Sequence, residues 1–354
     1  MNTAVFCLTP GGYQLAVRVK NKLEADGDRV RIYAPAKRFI AGGGVETFDS
    51  LAPAVETAFL ACRRIVFIMA LGIVVRMIAP HIRDKSADPA VVVMDETGQH
   101  VISALSGHQG GANALARRIA ALTGARPVIT TATDLHGLPA VDELARIYNL
   151  VMDPPAAARV INGALVDGKS VGFYASGSML PKLLPSGVQF KPVADYPDWR
   201  NEADYNVVVT NRLLEESNDN TVFLRPRNLV AGVGCRAGMS ESSILTALRS
   251  ALEHGRLSML SLRILATIEC KADEPGLKGA AIRLGLPLAT FSPAGINAFM
   301  ERAGHQLARS HFVQEKVGAP AVCEPAALLA SVRGELILPK QKFGGITVAV
   351  ARDG

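Results

Sequence analysis

The residues best suited to move a proton or hold an anion lie in two short stretches, Ser106-Gly107-His108-Gln109-Gly110-Gly111 and Thr130-Thr131-Ala132-Thr133-Asp134. An unperturbed imidazole titrates near pH 6.5, so His108, set among glycines, can exchange protons near neutrality. The turn follows a strand-like run, Val101–Leu105. It precedes Ala112, Leu115, Ala116, Ile119 and Ala120, which recur at helical spacing, and Gly124 is placed to stop that helix. The first amides of a helix lack intrahelical partners and carry the positive end of its dipole. A glycine-rich turn lets an anion reach them. A surface turn that needs glycine only for its geometry would look the same, and at this point both readings stand.

A second glycine turn, Gly232-Val233-Gly234-Cys235-Arg236-Ala237-Gly238, follows the strand start Asn228–Gly232. It precedes a helix with Ser240 as its cap and Ile244, Leu245, Leu248 and Leu252 on its inner face. Its spacing is GxGxxxG, where a dinucleotide fingerprint needs GxGxxG. Gly163–Ser170 spells the phosphate-loop pattern GxxxxGK[ST]. That mechanism needs a strand before and a helix after, whereas here a helix precedes and Val171-Gly172-Phe173-Tyr174 reads as a strand, so this stretch is expected to be only a turn. The letters GxSxG occur at Gly168–Gly172, but a helix precedes them and a strand follows, the reverse of a nucleophile elbow, which disfavours a serine hydrolase. Cys235 has no histidine nearby in sequence to lower its pKa, and a small buried hydrophobe is the competing reading for it.

The elements around these residues alternate. Thr3–Leu8, Arg29–Tyr33, Ile65–Ala70, Ala90–Asp95, Val101–Leu105 and Pro127–Thr130 read as strands. Helices run from Pro10-Gly11-Gly12 to about Leu23, over Leu51–Cys62 and after Gly111, while Ala41–Gly44 reads as a loop. The expected fold class is α/β, with a largely parallel α/β/α sheet domain over 1–136. A smaller α/β middle domain over 137–226 and a separate C-terminal α/β domain over 227–354 follow. Helices are expected at Leu138–Leu150 and Pro155–Val166, and the linker to the last domain in the polar stretch Asn211–Asn220 with Arg225-Pro226-Arg227. Ligands of open parallel sheets gather at the carboxyl ends of strands. Gly11-Gly12 and Ser106–Gly111 are both expected there.

At 354 residues the chain can bury a sizeable core. Its composition, 49% hydrophobic and 20% charged, is that of an ordinary globular protein. A net charge of +6 suits an anionic ligand, but the charges are scattered and only 5% of residues are aromatic, so no nucleic acid partner is expected. Cys7, Cys62, Cys235, Cys270 and Cys323 are isolated, without metal-site spacing, and no signal segment is evident. Reduced thiols and a cytoplasmic location are expected. The apolar run Ile65–Val75 is too short to span a bilayer.

Gly72–Arg76, Ile78–Pro80, Asp84-Lys85, Asp88–Val92, Leu105–His108, Gly110–Asn113 and Val128–Asp134 together resemble the N-terminal region of the cobalt-precorrin-5A hydrolase family of anaerobic cobalamin biosynthesis. Gly232–Arg236, Ala266–Glu269, Lys271, Glu274, Gly276-Leu277, Phe291-Ser292, Glu324, Ala326-Ala327, Lys340 and Thr347–Ala349 are similar to its C-terminal module, which is related to a small protein of the aerobic route. One departure is Leu71, where a smaller or more polar residue is expected before Gly72. The resemblance implies a cobalt-corrinoid substrate with a δ-lactone between the ring A acetate and carbon 20. Water opens the lactone, and carbon 20 leaves with its methyl as acetaldehyde. It implies catalytic roles for His108, Asp134 and Glu274; Asp134 is expected to end a strand of the same sheet, to orient His108 or serve the later carbon–carbon cleavage. Substrate binding would fall to Gly11, Gly12, Arg76, Lys85, Ser106, Gly107, Gly110, Gly111, Asn113, Thr131, Thr133, Gly232, Gly234, Cys235 and Lys271. Neither a protein-bound metal nor a cofactor is expected, because the substrate carries the cobalt. A homodimer and transient contacts with neighbouring pathway enzymes remain open. The competing function is a non-catalytic corrinoid-binding or channelling protein, which would not need a proton-transfer pair.

Overall fold

A computed structural model describes residues 2–84, 87–177, 188–193, 199–214, 220–302, 307 and 309–354. The described residues are α/β, with three sheets distributed over two compact units.

The first unit is built chiefly from Met1–Ile147 with Asn162–Lys169. Its strands are β1 (Asn2–Cys7), β2 (Arg29–Pro35), β3 (Val45–Phe48), β4 (Arg64–Ile68), β5 (Ala90–Met94), β6 (His100–Leu105) and β7 (Arg126–Val128). Its helices are α1 (Pro10–Ala25), α2 (Leu51–Ala61), α3 (Leu71–Ile78), α4 (Ala112–Thr123), α5 (Ala132–Leu135) and α6 (Val141–Ile147). The sheet order is β3-β2-β1-β4-β5-β6-β7. β1, β4 and β5 are near-continuous apolar runs because both faces of the sheet are covered. Val5, Ile68 and Val92 pack with Leu15 of α1 and Leu115 and Ile119 of α4. Phe6, Ile65, Phe67 and Val91 pack with Phe59 of α2 and Val74 of α3.

β1 to β5 run parallel, but β6 pairs antiparallel with β5, and β7 follows β6. The reversal is enforced at Asp95. Its carboxylate accepts the amides of Thr97 and Gln99 at 3.0 and 3.2 Å and that of His100 at 2.6 Å. Partial burial opposes ionisation there, but hydrogen bonds from Thr97, His100 and Gln99 pull the carboxyl down to about 2. The consequence for the site is large. Leu105 lies level with Val91 at the amino ends of the parallel strands, whereas Cys7, Ile68 and Met94 share a level at their carboxyl ends. Gly11-Gly12 and Ser106–Gly111 each follow the carboxyl end of their own strand, as expected, yet the antiparallel β6 puts them at opposite ends of the sheet's strands.

The second unit is built chiefly from Tyr148–Ile161 and most of the chain after Ser170. Its first sheet contains β8 (Leu150–Asp153), β9 (Val171–Ala175), β10 (Lys191–Pro192), β11 (Tyr205–Val209) and β12 (Thr221–Pro226), in the order β10-β9-β11-β12-β8. Two helices, α7 (Ala157–Val166) and α8 (Trp199–Glu202), occur in this stretch. Helix α6 ends before the expected Leu150, because Asn149 takes a left-handed φ of +52° and Leu150 opens an edge strand. Arg225-Pro226, expected in a linker, close a fully buried strand instead. The Arg225 guanidinium is held by Asp153 at 2.9 Å and by the Arg212 carbonyl at 2.7 Å. The phosphate-loop look-alike is a helix, a turn at Gly168 (φ +69°) and then β9, the order expected from the sequence.

The last sheet is ordered β15-β14-β13-β17-β16, with β13 (Leu229–Cys235), β14 (Leu262–Ile268), β15 (Leu288–Phe291), β16 (Glu335–Phe343) and β17 (Ile346–Arg352). Its helices are α9 (Glu241–His254), α10 (Pro275–Leu284), α11 (Pro293–Arg302), α12 (His311–Val317) and α13 (Cys323–Ala330). Ile244, Leu248 and Leu252 of α9 and Leu277 of α10 pack on Leu229, Ala231 and Val233. Ala326 and Ala327 of α13 pack against Val230, Ala266 and Ala351. No helix among the described residues is long and apolar enough to cross a membrane.

Candidate functional site

The turn between β6 and α4 is built around buried polar side chains. Ser106 adopts a left-handed φ of +56°, and its hydroxyl is buried without a hydrogen-bond partner among the described residues. A Cβ on Gly110 would lie 2.4 Å from that of Ser106, so this close approach admits only glycine. The amides of Ala112 and Asn113 donate to the Ser106 and Gly107 carbonyls at 3.1 and 3.0 Å. Two of the first helical donors are thus used inside the turn rather than offered to an anion.

His108 sits between two carboxylates and is 10% exposed. Its Nε2 lies 2.7 Å from Asp134 Oδ2 and its Nδ1 3.4 Å from Asp142 Oδ1. The Thr133 hydroxyl is 3.2 Å from Nε2. Asp134 stands in the helical turn α5 rather than at a strand end, since the chain bends into a helix immediately after Thr131. Asn113, itself buried, donates from Nδ2 to Asp134 Oδ2 at 2.7 Å and to the Thr131 hydroxyl at 3.1 Å, and its Oδ1 accepts from Ser103 at 2.6 Å. Arg117, one turn along α4, pairs with the other oxygen of Asp134. Asp142 is held from behind by Asn162 Nδ2 at 3.0 Å, while Asn162 Oδ1 accepts the Val141 amide at 2.9 Å.

The charges follow from this geometry. Burial alone would depress the His108 pKa, but the interactions with Asp142 and then Asp134 outweigh it and hold the imidazolium above its ordinary range. Burial would raise Asp134, yet Arg117 and His108 hold it below the usual carboxylate range. Asp142 is lowered in the same way, with His108 and then Asn162 overcoming burial. The two aspartates face opposite ring nitrogens, so they do not converge on one point as ligands of a single metal ion would.

A cavity of about 630 Å³ opens against Gln109, Gly110 and Gly111, with Arg63, Arg64, Arg118, Arg146 and Asp88 among its lining. Arg64 and Arg118 direct their guanidinium groups to Asp28 at 3.0 and 2.6 Å. Among the described residues Arg146 makes only a loose ion pair, with Glu143 at 3.7 Å.

The second glycine turn is organised differently. A Cβ on Gly232 would fall 1.8 Å from the Cys323 carbonyl oxygen, so glycine there lets α13 lie directly on β13. Glu274 accepts the Gly238 amide and pairs with Lys271 at 3.1 Å, and that amide followed by Lys271 holds its carboxyl below the usual range. Burial raises the Cys235 thiol above its ordinary value despite the nearby Lys271, so it is not an activated thiolate. Gly234 faces the Thr347 hydroxyl.

Of the other expected residues, Gly11 and Gly12 form the first turn of α1, where the Gly12 amide donates to Thr9 Oγ1 at 3.1 Å. Arg76 is exposed on α3. Lys85 lies outside the described residues. The structure therefore gathers Ser106, Gly107, His108, Gly110, Gly111, Asn113, Thr131, Thr133 and Asp134 in one place. Asp142, Arg117 and Asn162 escaped the sequence reading. Arg117 is four residues from Asn113 on one helix face, a spacing that could have flagged it. Asp142 stands beside Glu143 at the start of a helical stretch, where acids are common, a weaker signal.

The chain is similar to known proteins along most of its length. The family description "Cobalamin synthesis G N-terminal" matches residues 53–134, "Cobalamin biosynthesis central region" residues 139–226 and "Cobalamin synthesis G C-terminus" residues 229–351. A cobalt-precorrin-5A hydrolase of Salmonella typhimurium is 37% identical over 98% of this chain and 96% of its own length. One from Priestia megaterium is 35% identical over 83% of this chain and 79% of its own. Protein CobE of a Sinorhizobium species is 29% identical over 32% of this chain and 72% of its own length. The chain belongs to the cobalamin synthesis G family, that of the cobalt-precorrin-5A hydrolases.

Proposed function

We infer that this chain hydrolyses cobalt-precorrin-5A, opening its δ-lactone and releasing acetaldehyde. The observation that carries the reading is a single imidazole held between two buried aspartates in the glycine turn, together with the near-full-length likeness to hydrolases of that name. A water oxygen joins the lactone carbonyl carbon and its protons pass to solvent, the bond between that carbonyl carbon and the lactone oxygen breaks, and this oxygen, still attached to carbon 20, takes a proton from His108. That hydroxyl then gives up its proton as carbon 20 departs as acetaldehyde, and the macrocycle carbon it leaves takes a proton in exchange. Asp134 holds the imidazole in place throughout. The carboxylate fringe of the macrocycle is assigned to the arginine-lined cavity beside Gln109–Gly111, where Arg63 and Arg146 are the guanidinium groups least committed to carboxylates.

In this reading cobalt arrives with the substrate and the protein contributes no metal or cofactor. Isolated thiols and a soluble biosynthetic role fit the cytoplasm, and a homodimer or contact with neighbouring pathway enzymes is compatible with it. The test is incubation of purified protein with the lactone-containing intermediate. One acetaldehyde released per intermediate consumed supports the reading; binding without release favours a carrier.

A further inference from the structure

The side chains of Asp142 and Asp134 are both buried, but the two carboxylates are differently supplied with positive charge. Asp134 shares its oxygens among His108, Arg117 and Asn113. Asp142 makes its one ion pair among the described residues with His108, and its other side-chain partner, Asn162, is neutral. A buried carboxylate without a counter-charge is strongly unfavourable. A neutral imidazole would also turn one bare nitrogen lone pair toward a carboxylate oxygen, whichever tautomer it took. Both penalties vanish when the ring carries two protons.

We propose that Asp142 is a positioning residue that keeps His108 doubly protonated in the resting protein, so that His108 enters the reaction as an acid and not as the base that activates water. The acid role rests on the hydrolase reading above; the protonation state does not. The charged groups around the ring are Asp134 on α5 with Arg117 of α4 behind it, and Asp142 on α6. Further along α6, Arg146, whose stem lies against Gly111, opposes protonation, and its neighbour Glu143 partly offsets it. The sum around the ring favours the imidazolium. After donating from Nδ1, with Asp134 still holding Nε2, His108 would face Asp142 with a lone pair, which drives recapture of a proton and resets the site.

The experiment is an NMR titration of the His108 ring in the full chain, with the pH dependence of single-turnover acetaldehyde release measured alongside. In the native protein both ring nitrogens should show protonated shifts at pH 7; a neutral tautomer there overturns the proposal without any variant. Asp142→Asn should lower the His108 midpoint by about one pH unit or more, the usual effect of losing an adjacent opposite charge. Asp142→Glu should restore most of it. An unchanged midpoint in Asp142→Asn overturns the proposal. The alkaline limb of the rate profile should move down with the midpoint. If the NMR midpoint moves and the rate profile does not, Asp142 sets the protonation state but His108 is not the acid, and it is the catalytic reading that fails.

Discussion

The two glycine turns look alike in sequence and do opposite things. Around Ser106–Gly111, glycine makes room for side chains: an imidazole, two aspartates and an asparagine are drawn together in a poorly solvated space. Around Gly232–Gly238, glycine makes room for backbone, because α13 sits on β13 where a methyl group cannot fit. The ionisable groups at the second turn form a simpler arrangement, Glu274 tying Lys271 to the Gly238 amide. A glycine-rich turn is therefore no guide to chemistry by itself. What distinguishes the first is buried charge whose neutrality depends on one titratable ring.

The comparison can be broken by substitution. Gly232→Ala is expected to cost at least about 1–3 kcal/mol, the usual penalty of overpacking a tight core. A urea denaturation curve close to the native one would show that α13 is not seated as described. The next effect is on pH. The folded pKa of His108 is raised, so its contribution to stability is fully present below its ordinary value near 6.5 and is lost as pH rises through the raised value. The lowered Asp134 and Asp142 contribute above about pH 3.8, the ordinary carboxylate value, and that contribution is lost as pH falls through their depressed values. Denaturant midpoints should therefore decline on both sides of the neutral-to-mildly-acid range, and the alkaline decline should be absent in a His108 variant. A flat native profile would contradict the charge assignment.

Smaller effects belong to the second turn. Glu274→Gln should lower stability by about 1 kcal/mol through the weakened bond to the Gly238 amide. Its rate at saturation should fall much less than that of a His108 variant. Equal losses would erase the distinction between the turns. Lys169→Ala, in the phosphate-loop look-alike, should leave turnover unchanged, since its neighbours form a helix, a turn and a strand; a large loss in a folded variant would count against that placement.

Much of the first turn was legible because His108 and Asp134 stand in short runs of unusual composition. The reversal of β6 was legible in principle too. A parallel crossover needs a dozen or more residues, and the few between Met94 and His100 allow only a hairpin. Asp142 was hidden for a different reason. Its distance to His108 is set by how α5, the turn at Gly137 and α6 fold back on the glycine turn, which no local spacing encodes. The packing role of Gly232 was equally hidden, because its obstacle, the Cys323 carbonyl, comes from a helix far along the chain. Charge and glycine patterns survive in sequence, whereas long-range contacts do not.

The central claim is that His108 carries the proton and that other groups carry the grip. It is tested most directly by His108→Ala, with corrinoid affinity and single-turnover acetaldehyde release measured on one folded preparation whose melting curve is recorded. The account predicts a rate at saturation lower by about 10²–10⁴-fold, the usual loss for a general acid. Affinity should change little, by the order of one hydrogen bond, about 1 kcal/mol. A collapse of affinity with the saturated rate intact would contradict it and make His108 a binding residue.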